Sequence, residues 1–491
     1  MPPNQTPEHP QPPQDAPPSP PAPPIPVSPS PTTPEEASDP GKLIQQYINK
    51  KYGRRVLIVG FVLYLLWSNW NWSTVKDLPG VSTVVKWWSQ APLPKADPRR
   101  FAIALAHLEK DKEQQHELLI REVLKDFEGV QLLQFDRTIS LEGTQPEDKE
   151  EKGHAQARQY LKDSEAHVLI WGVILRHDDK SAPRLYWTTP QDSKRATAPY
   201  QPENFKLPEL FWNDLAEVLR LVVATQYSKF RAQEEEGRFI ADQLAPFIER
   251  VRKLLDKSTG RPGWSEVQVV LGDALSALGE QTGKNKPLEE AVAAYRAALT
   301  EWTREQVPLG WARAQHGLGT TLTLLGERDK GTTHLKEAVE AYEEALKEWT
   351  RKRAPLGWVA TQHGLGNTLR ILGEREGGTT HLEKAATACR VALQELTRER
   401  APLDWAKVQI SLGATLRILG ERKKDATLLC AALEKQLMAW EVSIMDSPST
   451  ATIAENHAKS TVITLKKAFN HSMYETCVAK HVETLKRIGS L

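Results

Sequence analysis

PLGWARAQHGLGTTLTLLG, residues 308–326, is one copy of a unit that recurs through the second half of this 491-residue chain. Its tryptophan belongs to a set spaced 47 residues apart, and the prolines, Leu-Gly pairs and later glycines keep the same spacing. The tryptophans are Trp264, Trp311, Trp358 and Trp405. Because no loop-rich fold needs such constant spacing, the four copies predict a stacked repeat array. Arrays of this kind usually bind other proteins rather than carry out chemistry.

Each unit is predicted to form two helices. In the second unit, apolar side chains at helical spacing indicate a first helix from about Trp311 to Leu325. Gly326 fits the left-handed residue that ends many helices, and a second helix is expected to begin near Thr333. In the third unit, Thr380 and Glu383 form a capping-box pattern at the corresponding start.

The small and aromatic residues of each unit resemble the tetratricopeptide repeat. Leu318-Gly319 lies on the predicted first helix, and Ala338, Tyr342 and Ala345 lie on the second. The glycine allows two helix backbones to approach, and the alanines allow the next unit to do the same. The resemblance implies an α-solenoid whose first helices line a concave groove.

The units depart from that family in length and in one residue type. They are 47 residues long, whereas the family repeat has about 34. The extra residues are expected in the loop from Glu327 to Thr332 and after the second helix. Cys389 and Gln436 replace the aromatic residue in the third and fourth units. The resemblance extends over roughly residues 205–491, with the stretch 452–469 predicted as a terminal helix.

Composition excludes some functions. The formal net charge is +1, from 64 basic and 63 acidic residues, so no global field favours nucleic acid. Cys389, Cys430 and Cys477 lie in predicted helices without the spacing of metal ligands, and we interpret all three as buried thiols. We therefore expect neither a nucleic-acid partner nor a metal.

The first hundred residues predict a membrane anchor. Residues 1–41 are rich in proline and should form a disordered tail, and residues 42–55 are basic. Residues 56–75 are uncharged and mostly apolar, with two tryptophans near one end, and have the length of about 20 residues that spans a bilayer. A buried or interfacial helix is the alternative. The positive-inside rule places the amino terminus in the cytoplasm and everything after residue 75 outside it.

Residues 76–99 are interpreted as a linker, and residues 100–200 as a small α/β domain. Buried strands at Phe101–Ala106 and Val130–Phe135 alternate with predicted helices, and a hairpin follows from about His167. This order, with Ile170-Trp171-Gly172 before the hairpin, resembles the amino-terminal domain of TolB and its FlgO-like relatives. The resemblance implies work in cell-envelope assemblies, outside the cytoplasm. Residues 205–260 are expected to form entry helices, 261–447 the four units, and 448–491 a cap.

No catalytic centre is predicted. No glycine-rich phosphate loop follows any strand. His107, at the end of the first strand, could form an acid–base cluster with Asp111 and Asp136, but no nucleophile accompanies it, and we interpret it as structural. The repeated histidines lie one unit apart, too far to share one metal ion. We assign no catalytic, cofactor or metal residues.

The expected site is the groove that the tetratricopeptide resemblance implies. By the family's register its positions are Arg313, His316, Thr320 and Thr323 in the second unit, His363, Asn367 and Arg370 in the third, and Lys407, Ala414 and Arg417 in the fourth. These residues predict a polar, mildly basic surface. The family's carboxylate clamp needs several asparagines, and only Asn367 matches one. An acidic or helical peptide is one expected occupant; simple solvation of the inner face is the other interpretation.

The sequence thus predicts a mainly α protein: a tetratricopeptide-like solenoid preceded by a small α/β domain, one transmembrane helix and a proline-rich tail. The expected function is non-enzymatic, a membrane-tethered scaffold that recruits a protein partner. Two alternatives remain open: an enzyme or small-molecule sensor centred on the α/β domain, and a structural protein that self-associates through the solenoid.

Overall fold

In the computed structural model, Ala91–Leu491 form one compact unit. The structure describes residues 92–490, except 112, 126, 128, 142–145, 178–179, 191–204, 207–214, 235–240, 257–262, 400, 446 and 470. The predicted tail, basic segment and transmembrane helix all lie outside the described residues. Within the described residues, no helix combines the length and apolar character needed to cross a bilayer.

This unit begins with a five-stranded sheet. Its strands are β1 (Phe101–His107), β2 (Val130–Thr138), β3 (Val168–His177), β4 (Lys180–Thr188) and β5 (Phe205–Lys206), with helices α1 (Gln115–Lys125) and α2 (Pro146–Ser164) between the first three. The strand order is β2-β1-β3-β4-β5. β1 is parallel to β2 and β3, whereas β3 and β4 form the expected hairpin. The predicted α/β layer is confirmed; the short β5 was not predicted.

β1 is apolar throughout because both of its faces are covered. Its larger side chains, Phe101, Ile103 and Leu105, join one core with α1. Its alanines face a second core that contains Ala157 and Leu161 of α2. A strand buried on both faces has no polar alternation, and so its sequence shows an unbroken apolar run.

Helices make up the rest of the unit. They are α3 (Leu215–Glu234), α4 (Ala241–Asp256), α5 (Trp264–Thr282), α6 (Asn285–Glu301), α7 (Pro308–Arg328), α8 (Thr333–Leu346), α9 (Pro355–Glu376), α10 (Thr380–Ala392), α11 (Pro402–Lys423), α12 (Ala426–Ser443), α13 (Pro448–Ala468), α14 (His471–Val478) and α15 (Val482–Arg487). Consecutive helices pack on one another from α3 to α13. In the four units, α5, α7, α9 and α11 are first helices, and α6, α8, α10 and α12 are second helices.

One hydrophobic core runs from the sheet into the repeats. It joins Phe101 of β1 to Val222 of α3, Leu244 of α4 and Val270 of α5. Helix α3 makes this connection, since it packs on α1, α4 and α5. The sheet and the first repeats therefore form one packed body.

The first helices are longer than expected at both ends. α7 begins at Pro308, one turn before Trp311, because proline suits the first helical position. Gly326 does not end this helix, which continues to Arg328. A Cβ on Gly326 would stand 2.6 Å from Cδ2 of Leu335, so this glycine permits the close approach of α8. The extra residues of the unit therefore lengthen the first helix rather than only the loop.

The predicted capping box in the third unit is absent. The N-cap of α10 is Thr379, which has a helical backbone and makes no side-chain cap hydrogen bond. Thr380 is already the first helical residue, one position beyond the place where a hydroxyl caps a helix. The start of the second helix in the second unit, at Thr333, is confirmed.

Two of the three cysteines are not thiols. Cys430 of α12 and Cys477 of α14 form a disulfide, with Cα atoms 5.1 Å apart. The prediction of three buried thiols is wrong for this pair, because residues one unit apart meet where α14 folds back on α12. Cys389 is the buried thiol, and burial raises its pKa to about 12.

Neighbouring first helices are joined by an arginine that recurs every 47 residues. Arg328, Arg375 and Arg422 each donate hydrogen bonds to carbonyls at the end of the preceding first helix. Arg422 donates to the Gly373 oxygen at 2.7 Å and to the Glu374 oxygen at 3.0 Å. A guanidinium there adds charged hydrogen bonds to carbonyls near the carboxyl end of the helix and complements its dipole.

We expect Arg422→Ala to lower the free energy of unfolding by about 1.5 kcal/mol, because it removes charged hydrogen bonds to helix-end carbonyls. Urea unfolding of residues 91–491 measures the change. Arg390→Ala, at an exposed position on α10, is the matched control and should change little. Equal stability of the two variants would contradict the role given to Arg422.

Candidate functional site

The predicted site residues lie on one face of the successive first helices. In α9, His363, Asn367, Arg370 and Glu374 follow one another at helical spacing. α5 contacts α7, α7 contacts α9, α9 contacts α11, and α11 contacts α13. The equivalent side chains therefore form a continuous strip, which we call the first-helix face.

At the start of this face, Arg313 is held by an acidic residue of the unit before it. Its Nη2 donates to Oδ2 of Asp273 at 2.6 Å. The hydroxyl of Tyr295 donates to the other oxygen of the same carboxylate, also at 2.6 Å. The side chains of Arg313 and Asp273 are both mostly buried. Arg313 therefore ties α7 to α5, which the sequence did not predict.

His316 and Thr320 are engaged with their neighbours. The His316 ring lies 5.6 Å from the ring of Tyr342 and 5.3 Å from that of Trp349, and its Nδ1 is 3.0 Å from the Thr361 hydroxyl. Thr320 accepts a hydrogen bond from the Tyr342 hydroxyl at 3.1 Å. Burial raises the pKa of Tyr342. His316 therefore contributes to packing between units, and Thr320 to packing within its own unit.

His363 occupies a packed position between α9 and α11. Its Nε2 is 3.0 Å from the hydroxyl of Ser411. Burial lowers the pKa of His363 to about 4, and the positive charge of Lys407 acts in the same direction. His363 is therefore neutral at neutral pH and adds no positive charge to the face.

This depressed pKa predicts a loss of stability in acid. The folded protein resists protonation of His363 until about pH 4, whereas the unfolded chain takes up the proton near pH 6.5. The free energy of unfolding should therefore fall as pH drops through this window. His363→Gln, whose amide can still bond to Ser411, should reduce the fall. Urea unfolding between about pH 7 and about pH 5 tests this; an unchanged slope in the variant would count against it.

The middle of the face carries a connected polar cluster. Arg370 donates to Oδ1 of Asn367 and to Oε2 of Glu374, each at 2.9 Å. The Asn367 amide donates to Oε1 of Glu327 in the preceding unit at 3.4 Å. Burial raises the pKa of Glu327, although Arg370 and Asn367 act against the shift. The structure thus brings together Asn367 and Arg370, two of the residues predicted to line the groove.

One unit further along, Arg417 repeats the position of Arg370. Its Nη1 donates to Oε1 of Glu421 at 2.7 Å, and the same oxygen accepts from the Thr464 hydroxyl of α13 at 2.8 Å. The buried Nε of Arg417 makes no hydrogen bond within the described part of the chain. Lys407 lies on the same helix, 3.3 Å from Asp404.

The face is balanced in charge rather than basic. Each predicted cation is paired with a carboxylate that the sequence analysis did not place in the groove. These carboxylates are Asp273, Glu374, Asp404 and Glu421. The signal was present in the sequence, since Glu327, Glu374 and Glu421 recur 47 residues apart, one turn beyond the arginine position. The predicted mild excess of positive charge is therefore not observed.

The polar cluster at the end of β1 differs from the one considered in the sequence. His107 lies 3.0 Å from Oε2 of the buried Glu117 and 3.4 Å from Oδ1 of Asp136. Asp111 pairs instead with His116, at 3.0 Å. Glu117 also accepts from the backbone N–H of Leu108, so it holds the strand end in place. Within the described ranges, no group of three or more histidine, cysteine or acidic residues is arranged to hold a metal ion.

Comparison with known proteins gives little similarity. No protein-family model and no curated protein matches this sequence. A solved structure titled "Crystal structure of BtubC (BKLC) from P. vanneervenii" is 16% identical and covers 56% of this chain and 91% of its own length, with a TM-score of 0.31. A TM-score this low assigns neither fold nor function.

Proposed function

We propose that this protein is a membrane-tethered, non-enzymatic scaffold that recruits a protein partner to the first-helix face of a tetratricopeptide-like solenoid. Tethering raises the local concentration of the scaffold at the membrane, and the partner is recruited there by equilibrium binding. The proposal rests on the arrangement of Arg370 and Arg417 on this face.

The observation that carries this proposal is the state of Arg417. Its side chain is 19% exposed, and within the described residues Nη1 is the one guanidinium nitrogen that makes a hydrogen bond, to Glu421. Arg370, one unit earlier, is equally exposed and paired in the same way with Glu374. A guanidinium presents five donors in a rigid fork, so each arginine can donate to a second carboxylate without losing its bond to the first.

The arginines are also held in place before a partner arrives. Because Glu374 and Glu421 fix the two side chains, binding would cost little rotamer entropy. We therefore propose a partner segment with acidic side chains spaced to reach both arginines. Its carboxylates would form charge-assisted hydrogen bonds, which are about twice as strong as neutral ones.

Affinity capture from membrane extract tests this proposal. The bait is the compact unit of residues 91–491, compared with a variant carrying Arg370→Gln and Arg417→Gln. The matched control carries Arg296→Gln and Arg351→Gln, which removes the same two charges from side chains that pair with Glu337 and Glu395 instead. We expect a partner that the parent and the control retain and the face variant loses. Circular dichroism confirms that all three are folded.

Two outcomes would contradict the proposal. Equal capture by the face variant would place the binding site elsewhere. No captured partner would favour the α/β domain as the functional centre, which ligand-dependent thermal stabilisation across nucleotide and sugar panels would then examine.

The proposed tether is the segment 56–75, and the proposed location of the repeats is outside the cytoplasm. The Cys430–Cys477 disulfide supports this side, because disulfides persist in oxidising compartments. We expect the chain to stay with washed membranes and to be released when residues 56–75 are deleted. Thiol blocking in intact cells, followed by non-reducing mass spectrometry, should find the pair bridged; a reduced pair would contradict this location.

A further inference from the structure

Helix α13 continues the first-helix face by one position. Thr452 stands in the register of the repeated tryptophans, 47 residues after the last of them. α13 packs on α11 and α12, as α11 packs on α9 and α10. The hydroxyl of Thr464, at the register position of Arg370 and Arg417, donates to Oε1 of Glu421 at 2.8 Å. Side chains of α13 therefore join the same strip as the two arginines.

His457 stands in α13 at the position where two earlier first helices carry a histidine. His316 and His363 are 47 residues apart, and His457 follows two units later. Each of the earlier imidazoles lies 3.0 Å from a hydroxyl on the next first helix, Thr361 and Ser411 respectively. The half-buried imidazole of His457 has no hydrogen-bond partner within the described part of the chain. Hydrogen-bonding capacity that is used in the earlier units is therefore available on α13.

Charges from two earlier units act on this imidazole. Burial lowers the pKa of His457, Arg370 and Arg417 lower it further, and Glu374 acts in the opposite direction. Arg370 belongs to α9 and Arg417 to α11. Charges more than about 10 Å apart are largely screened in salt solution, so side chains of three successive first helices converge here.

Other charged groups on α11, α12, α13 and α14 are engaged in pairs of their own. These pairs are Glu421 with Arg417, Glu434 with Lys435, Glu455 with Lys459, and His471 with Glu475. The two arginines and Glu374 are therefore the charged groups that act on His457.

We propose that His457 is a third contact for the acidic partner segment, and that it takes up a proton from the solvent when the segment binds beside Arg370 and Arg417. This inference rests on the proposed function and names its regulation: recruitment is strengthened in acid. The proton returns to the solvent when the partner leaves.

The direction of this effect follows from the charge on the imidazole. In the free protein His457 is neutral at neutral pH, because its pKa lies below the ordinary value. A carboxylate placed beside the imidazole stabilises its charged form and raises its pKa. The bound protein then holds more protons than the free protein at the same pH, so affinity rises as pH falls.

Fluorescence anisotropy with a labelled octaglutamate peptide tests the proposal on the full chain in non-ionic detergent. Glutamate stays ionised throughout the range used. We expect the parent to bind about fivefold more tightly at about pH 6 than at about pH 7.5. His457→Gln keeps a polar side chain that does not titrate, so it should bind equally at both pH values. His471→Gln is the matched control, because His471 is 85% exposed on α14; it should respond to pH as the parent does.

The outcomes separate this inference from the proposed function. Binding that is lost with Arg370→Gln and Arg417→Gln but does not respond to pH would overturn the inference and leave recruitment standing. A His457→Gln variant that keeps the pH response of the parent would also overturn it. No binding of octaglutamate at either pH would contradict the acidic partner itself, and this inference with it.

Calorimetry measures the proton directly. Octaglutamate binding is measured at about pH 6.5, close to the ordinary pKa of histidine, in two buffers that differ in ionisation enthalpy. The difference in heat gives the number of protons exchanged. We expect the parent to take up protons from the buffer and His457→Gln to take up none. Binding by the parent without proton uptake would overturn the proposal.

Discussion

Loss of the Cys430–Cys477 disulfide should lower the free energy of unfolding by about 2–4 kcal/mol. The bridge closes a loop of 47 residues that includes all of α13. Opening it restores conformational freedom to the unfolded chain and releases α14 from α12. Urea unfolding of residues 91–491, with Cys430→Ser and Cys477→Ser combined, measures the loss.

A reductant provides the control for this prediction. Dithiothreitol should destabilise the parent to the level of the double variant and leave the variant itself unchanged. Cys389, the remaining thiol, is fully buried and contributes the same in both proteins. A parent whose stability does not respond to reductant would show that the bridge contributes nothing to the folded state.

Gly364→Ser should cost about 2–3 kcal/mol, because it overfills a rigid contact. A Cβ on Gly364 would stand 2.7 Å from Cζ and 2.9 Å from Cε1 of the Tyr342 ring. The ring is 2% exposed and its hydroxyl is bonded to Thr320, so it has little room to move. Thermal and urea unfolding measure the change.

The third unit of the same chain supplies the control. There Cys389 replaces the aromatic residue, and in the fourth unit Ser411 stands at the position equivalent to Gly364. The small Cys389 on α10 thus leaves room for a side chain on α11. We expect Gly364→Ser to be less damaging in a Tyr342→Cys background than in the parent. Strictly additive losses would contradict this explanation of the two differences.

The repeat spacing predicted the helices, but not what each repeated residue does. Gly326 was expected to end a helix because glycine is common there; in the structure, contact with Leu335 determines its role. A pattern within one helix cannot reveal which side chain of the next helix lies opposite. For the same reason, the hydrogen bonds from Arg328, Arg375 and Arg422 to the preceding first helices were not predicted, although the spacing of these arginines is visible in the sequence.

The groove at the first-helix face stays a prediction, and the structure shows the contacts that its residues make. Asn367 and Arg370, which the family's register assigned to the groove, are hydrogen-bonded to each other. The register did not show that His363 is held neutral by burial, or that Glu374 and Glu421 pair with the arginines. Charge on a surface depends on partners from neighbouring helices, and those partners follow only from the stacking of units. The disulfide was likewise hidden, because Cys477 lies beyond the last clear unit.

The continuous core from β1 through α3 to α5 has a mechanical consequence. Side chains such as Phe101, Val222 and Val270 belong to one packed cluster. Force applied to the repeats by a bound partner would therefore be transmitted to the sheet through these packed side chains. If the sheet and the repeats were instead two loosely connected bodies, they would first rotate relative to one another, and the force would not reach the sheet directly.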